Sequence, residues 1–218
     1  MDFVRIEEFL DDVMPEVAGC TEFAAIDRLR RSAIEFCQKT LVSQETIEEL
    51  DLTADDSILP IPSPSNQVLM YRILWMRNPQ RFMTVSNRRM LANRNIDWKD
   101  RGESTSDYPY GYVLLNREEA EIFPTPKADA SGVIDVHCAF IPNRECSRLD
   151  SILIDEHRDA IAAGALSHLL RMSKESWYNP EEGTAKEADF RALISNARAA
   201  VNKDRTTADT KVQMVRFA

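Results

Sequence analysis

The chain has 218 residues, 44% of them hydrophobic, enough to bury roughly 70% of its unfolded surface without a metal or disulfide staple. A formal charge of −9 and a pI near 5.0 exclude a dedicated duplex-DNA binder, whose affinity comes from neutralising phosphates with an excess of Lys and Arg.

Asp2–Met14 places Phe3, Ile6, Leu10 and Val13 on one helical face and Glu7, Glu8, Asp11 and Asp12 opposite, and Pro15 ends it. After a compact connector, Thr21 is placed to cap a longer helix over Glu22–Leu41, with Ile26, Leu29, Ala33, Cys37 and Leu41 as its buried line. The acidic run from Glu45 to Asp56 lacks the oxygen register and turn glycine of a calcium loop, so it is expected to be a solvated loop or strand edge.

From Ser57 the texture changes to short β segments. Val68–Trp75 has two apolar faces (Leu69, Tyr71, Ile73 and Trp75 against Val68, Met70 and Leu74), which predicts a central strand. Arg81–Ser86 is a second strand candidate, and Tyr110–Leu115 with Ala120–Phe123 reads as a pair joined near Asn116. Gly132–Ile141 alternates Ile134, Val136, Cys138 and Phe140 against Asp135, His137 and Ala139. Between these lies Asn87–Asp107, long and charged, of the kind that serves as a binding loop.

Helical spacing returns over Ile154–Ser173, where Gly164 in the run Ala162–Ala165 permits close helix approach. Asn179, Pro180 and Glu182 then form an N-cap, N1 and capping-box set for a helix reaching about Asn202. The last segment opens polar and ends in apolar residues, Val212, Met214, Val215 and Phe217, the pattern of a docking strand.

The fold class expected is therefore α+β: a discontinuous α-helical bundle with an inserted antiparallel β sandwich or barrel module and an extended C-terminal tail. The divisions are 1–56 and 150–205 for the helical scaffold, 57–149 for the β module and 206–218 for the tail.

Strong catalytic signatures are missing. The chain has no nucleophile elbow, P-loop, dinucleotide glycine fingerprint, HExxH or zinc spacing, so no enzyme activity, cofactor or metal is expected. Cys20, Cys37, Cys138 and Cys146 read as buried free thiols of a reducing compartment, and the three histidines as structural. No secretory leader or bilayer-length apolar run is present, so synthesis in a cytoplasm is expected. A basic cluster, Arg77, Arg81, Arg88, Arg89, Arg94, Lys99 and Arg101 with Trp98, suits a subunit interface centred on Arg88, Arg89, Arg94 and Trp98. The alternative is a nucleic-acid-binding accessory protein using this 77–101 patch, diluted by Asp97, Asp100, Glu103 and Asp107.

Three stretches carry a family resemblance: MPEVAGCTEFAAIDRLRRSAIEFCQKT at 14–40, YPYGYVLLNREEAEIFPTP at 108–126, and AIAAGALSHLLRMSKESWYNPEEGTAKEADFRALISNARAA at 160–200. Together they resemble the head-to-tail adaptor, or connector, proteins of tailed bacteriophages, including the tubular-tail adaptors of short-tailed phages. The resemblance implies a non-enzymatic virion protein of the neck or tail that forms a ring, usually a dodecamer, beneath the portal. It would present a platform to the next tail or nozzle protein and leave a channel for DNA, without specific DNA binding and without a membrane. Val212, Met214, Val215 and Phe217 would then be portal-docking residues, and Arg88, Arg89, Arg94 and Trp98 would lie at subunit or tail contacts. An acidic chain suits such a channel, because carboxylates do not retain phosphate.

Overall fold

The computed structural model describes residues 1–86 and 108–204. The protein is of mixed helix and sheet. Strand β1 is Phe3–Arg5, followed by a 3₁₀ turn at Ile6–Phe9, the single-turn helix α1 (Leu10–Val13) and a second 3₁₀ turn at Met14–Glu16. The single short helix expected over Asp2–Met14 is therefore broken. Its first residues pair antiparallel with β9 (Arg148–Asp150), Phe3 opposite Asp150, a long-range partner that outcompetes local helix formation.

Helix α2 spans Glu22–Thr40. Thr21 Oγ1 accepts from the Ala24 N–H at 3.3 Å, the expected cap. Leu41 adopts a left-handed conformation (φ 59°) and donates its N–H to Cys37 O, which ends the helix there. Its buried line includes Phe36 and Ser32 beside Leu29, Ala33 and Cys37. Ser32 tolerates burial because its hydroxyl donates to Ile161 O at 2.8 Å.

Strand β2 (Gln44–Leu52) takes up most of the acidic run as an edge of a three-stranded sheet ordered β2-β8-β4. Here β4 is Val68–Arg77 and β8 is Ala130–Pro142. Strand β8 is the central one, with Ile134, Val136, Cys138 and Phe140 fully buried. Strand β4, predicted central, lies at the sheet's other edge. Register shifts at Met70/Arg72 and Ile73/Trp75 move its inward set to Val68, Met70, Ile73 and Met76, so a strict two-residue alternation does not hold.

A four-stranded sheet is ordered β3-β7-β6-β5. Its members are β3 (Ile58–Pro60), β5 (Thr84–Val85), β6 (Gly111–Leu114) and β7 (Glu119–Phe123). Strands β6 and β7 pair antiparallel as expected, with Gly111 opposite Phe123. The Arg81–Ser86 candidate shrinks to the two residues of β5, and these run parallel to β6, so the module is not wholly antiparallel. Leu59, Ile61, Tyr112 and Ile122 of this region share one buried cluster with Met70, Met76, Val136 and Phe140 of the three-stranded sheet.

After β9 come α3 (Ile152–Asp155), α4 (Arg158–Leu169) and α5 (Pro180–Asp204). The helix expected over Ile154–Ser173 is thus interrupted near His157. A second buried cluster joins α1, α2, α4 and α5, from Ile6 and Phe9 through Phe36 to Phe190 and Ala197. At Gly164 of α4 an added Cβ would collide with Ser32 Oγ and stand 3.0 Å from the Phe190 ring, so the glycine sets the close approach of three helices. The end of β8 serves both clusters: Phe140 points into the β core and its neighbour Ile141 into the helical one.

Candidate interaction surfaces

The titratable groups in the interior are structural in their partners. Cys20, Cys37, Cys138 and Cys146 are free and buried. Burial pushes the Cys138 thiol up to about 12 and raises Cys37 as well, which keeps both protonated and unreactive at neutral pH. His137 shares hydrogen bonds with Thr46 Oγ1 (2.9 Å) and Gln44 Oε1 (3.0 Å) and stacks on Trp75. His157 immediately precedes α4 and tilts against Phe36, and burial lowers its affinity for a proton. Among the described residues no group of three His, Cys, Asp or Glu side chains is placed to hold a metal ion, and no helix is long and apolar enough to cross a membrane.

Arg88, Arg89, Arg94 and Trp98, expected at a subunit or tail contact, lie outside the described residues, as do Val212, Met214, Val215 and Phe217. Two members of the basic cluster can be placed. Arg77 pairs with Asp135 at 2.6 Å and lies over the Trp75 ring, and its hydrogen bond holds the Asp135 carboxyl below the usual carboxylate range. Arg81 is exposed and its N–H donates to Asn78 Oδ1. Beside them Phe82 and Val85 are about two-thirds exposed, at 64% and 66%, an apolar rim next to the start of segment 87–107.

Four open grooves mark the described surface. One of about 660 Å³ runs along β3 and the end of β2; its floor is Leu52, Leu59 and Ile122, and its rim carries Asp51, Asp56, Glu118 and Glu119. Another lies where the helices meet the sheet, between His137, Glu156, His157 and the last turns of α5. The third, about 680 Å³, follows the outer face of α2 with Arg30, Arg31, Lys39 and, from the β8–β9 connection, Arg144. The fourth, about 460 Å³, lies between α1, α4 and α5 and carries Asp12, Glu16, Asp159 and Asp189 over a floor of Ala162, Ala163 and Leu166. None of the four was legible in the sequence. The cations of α2 follow from its helical period, opposite the buried line, but nothing local brings Arg144 to them across more than a hundred residues.

Open, charge-rimmed grooves are thus the main features of the described surface. The chain matches the family model described as SU10 adaptor protein over residues 4–215, and it belongs to that family of phage head-to-tail adaptors. It is a structural adaptor of a phage particle. No curated protein matches the chain.

Proposed function

We propose that the protein assembles into a ring, a dodecamer in the usual adaptor arrangement, that joins the portal to the tail and leaves an axial channel for DNA passage. The observation that carries this reading is the family match over residues 4–215, which spans the helices, both larger sheets and most of the C-terminal segment. The charge of −9 supports a channel that does not retain DNA. In this reading 1–56 and 150–205 form the ring scaffold, although β2 reaches from the first of these into the sheet by pairing with β8. Residues 57–149 form the module facing the tail, with Arg88, Arg89, Arg94 and Trp98 at subunit or tail contacts. The protein performs no catalysis and works without a cofactor.

The C-terminal tail, 206–218, docks on the portal through Val212, Met214, Val215 and Phe217, adding a strand to an exposed edge or lodging Phe217 in an apolar groove. Many weak tails held in one ring give avidity that a single tail lacks. Deleting 206–218 is expected to leave the melting curve nearly unchanged and abolish co-sedimentation with portal. A truncated protein that still binds portal at full occupancy, or that unfolds, contradicts the docking role.

A further inference from the structure

Two of the grooves described above are opposite in charge and lie on opposite sides of the helical body. On α2, Leu29, Ala33, Phe36 and Cys37 point into the core. At about 100° per residue, Asp27, Arg31, Ile34 and Gln38 fall on the reverse face. On α4, Ile161 and Gly164 meet Ser32 of α2. The same rotation puts Asp159, Ala162, Ala163 and Leu166 on the side turned away from α2.

The α2 groove carries four cations, Arg30, Arg31, Lys39 and Arg144, against two carboxylates. The α4–α5 groove carries four carboxylates against Lys186. Asp12 and Glu16 are already paired, with Arg158 and with Lys186 at 2.7 Å. Asp159 and Asp189 are exposed and make no direct hydrogen bond or ion pair with the described residues, although the Asp159 carboxylate is near enough to Arg158 to favour its charged form. Arg144 is exposed in the same condition on the other side, and Arg31, held only by Asp27 at 3.1 Å, keeps 61% of its side chain exposed.

We propose that subunits meet head to tail, the basic α2 face of one copy, with Arg31 and Arg144, seated on the acidic α4–α5 groove, with Asp159 and Asp189, of a second copy. The argument is charge complementarity between two surfaces on opposite sides of one body, which is what a heterologous contact requires, and such a contact closes into a ring when the rotation from one subunit to the next closes. The small side chains Ala162 and Ala163 leave room for the aliphatic stems of the incoming arginines to lie flat. This assignment rests on the ring reading above and names its interface.

Charge reversal tests it. One variant carries Arg31→Glu and Arg144→Glu, and a second carries Asp159→Lys and Asp189→Lys. All four sites are exposed, so both variants are expected to keep the wild-type melting curve. Each alone is expected to lose the high-mass species by about tenfold or more in mass photometry, because like charges then face each other. Mixed one to one, the two variants are complementary at both contacts and alternate around the ring, so the high-mass species returns. Wild-type rings that persist in both variants, or assembly that is lost and not restored on mixing, overturn the face assignment and leave the ring reading standing. A wild-type protein that stays monomeric both alone and with portal overturns the ring reading, and the interface with it.

Discussion

In the helical body, one contiguous cluster is built by helices that satisfy their own backbone, so apolar faces can slide together until side chains stop them. The stop is Gly164 against Ser32 and Phe190. In the β module, the three strands of one sheet and β3, β6 and β7 of the other share a cluster, and each strand's inward set depends on the register of its partner. The tight point there is Gly111, where an added Cβ would enter the Phe123 ring. The helical body therefore resists change along its helices, and the module resists change across its strand pairs. Strand β8 contributes the adjacent buried residues Phe140 and Ile141 to the two clusters, and β4 also bridges them, since Leu69 packs against the helical cluster between Val68 and Met70 of the β cluster.

The largest effects come from emptying either core. Phe36 and Phe140 are both fully buried, and Phe36→Ala or Phe140→Ala is expected to cost about 3–5 kcal/mol. If β8 couples the regions, each variant shifts one common melting transition. Two separable transitions, each moved by only one variant, would show that the regions unfold independently.

Filling the tight points is expected to cost less. Gly164→Ala and Gly111→Ala should each destabilise by about 1–3 kcal/mol, read by urea denaturation. Gly164→Ala should be rescued in part by Ser32→Gly, which removes the struck hydroxyl. No rescue would place the strain elsewhere. Asn179→Ala should cost about 1 kcal/mol, because Asn179 Oδ1 accepts from the Glu182 N–H at 3.3 Å at the start of α5. The same loss from Asn179→Asp, which keeps that acceptor, would count against the cap.

The regions also differ in their response to acid. Burial lowers the proton affinity of His157, with Glu156 opposing, and of His168, with Glu35 opposing. The unfolded chain then binds more protons as pH falls, so the stabilisation is complete above the ordinary imidazole value of about 6.5 and is lost below it. Asp135 in the module is lowered by Arg77, and its stabilisation is lost only as pH falls below the ordinary carboxylate value of about 4. Replacing His157 and His168 by Gln should flatten the slope of stability between about pH 6.5 and 5 while leaving the loss below about pH 4 in place. An unchanged slope in the upper window would assign it to other groups.

How much of this was legible in the sequence follows the same divide. The cap at Thr21, the line Leu29–Ala33–Cys37 and the Asn179–Pro180 entry to α5 were readable, since helix signals lie within a few residues of one another. Even there the capping box differs in detail: the Asn179 side-chain amide, and not its backbone N–H, donates to Glu182, because that N–H is already given to Leu170 O. Strand β4 was misjudged as central because its bulges and its partner β8, about sixty residues away, set its phase. The segment at Phe3–Arg5 fits a helical period as well as a strand, and only its pairing with Arg148–Asp150 decides. The contact faces were half legible: the arginines of α2 follow from its period, whereas the arrival of Arg144 and the opening between α4 and α5 are products of tertiary packing.

Assembly of this adaptor into a ring seated on the portal is tested most directly by negative-stain imaging of the full-length protein, alone and mixed with portal. Closed annular particles with an axial hole, stacked coaxially on the portal in the mixture, are the predicted result. Bare portal particles beside isolated monomers would contradict it.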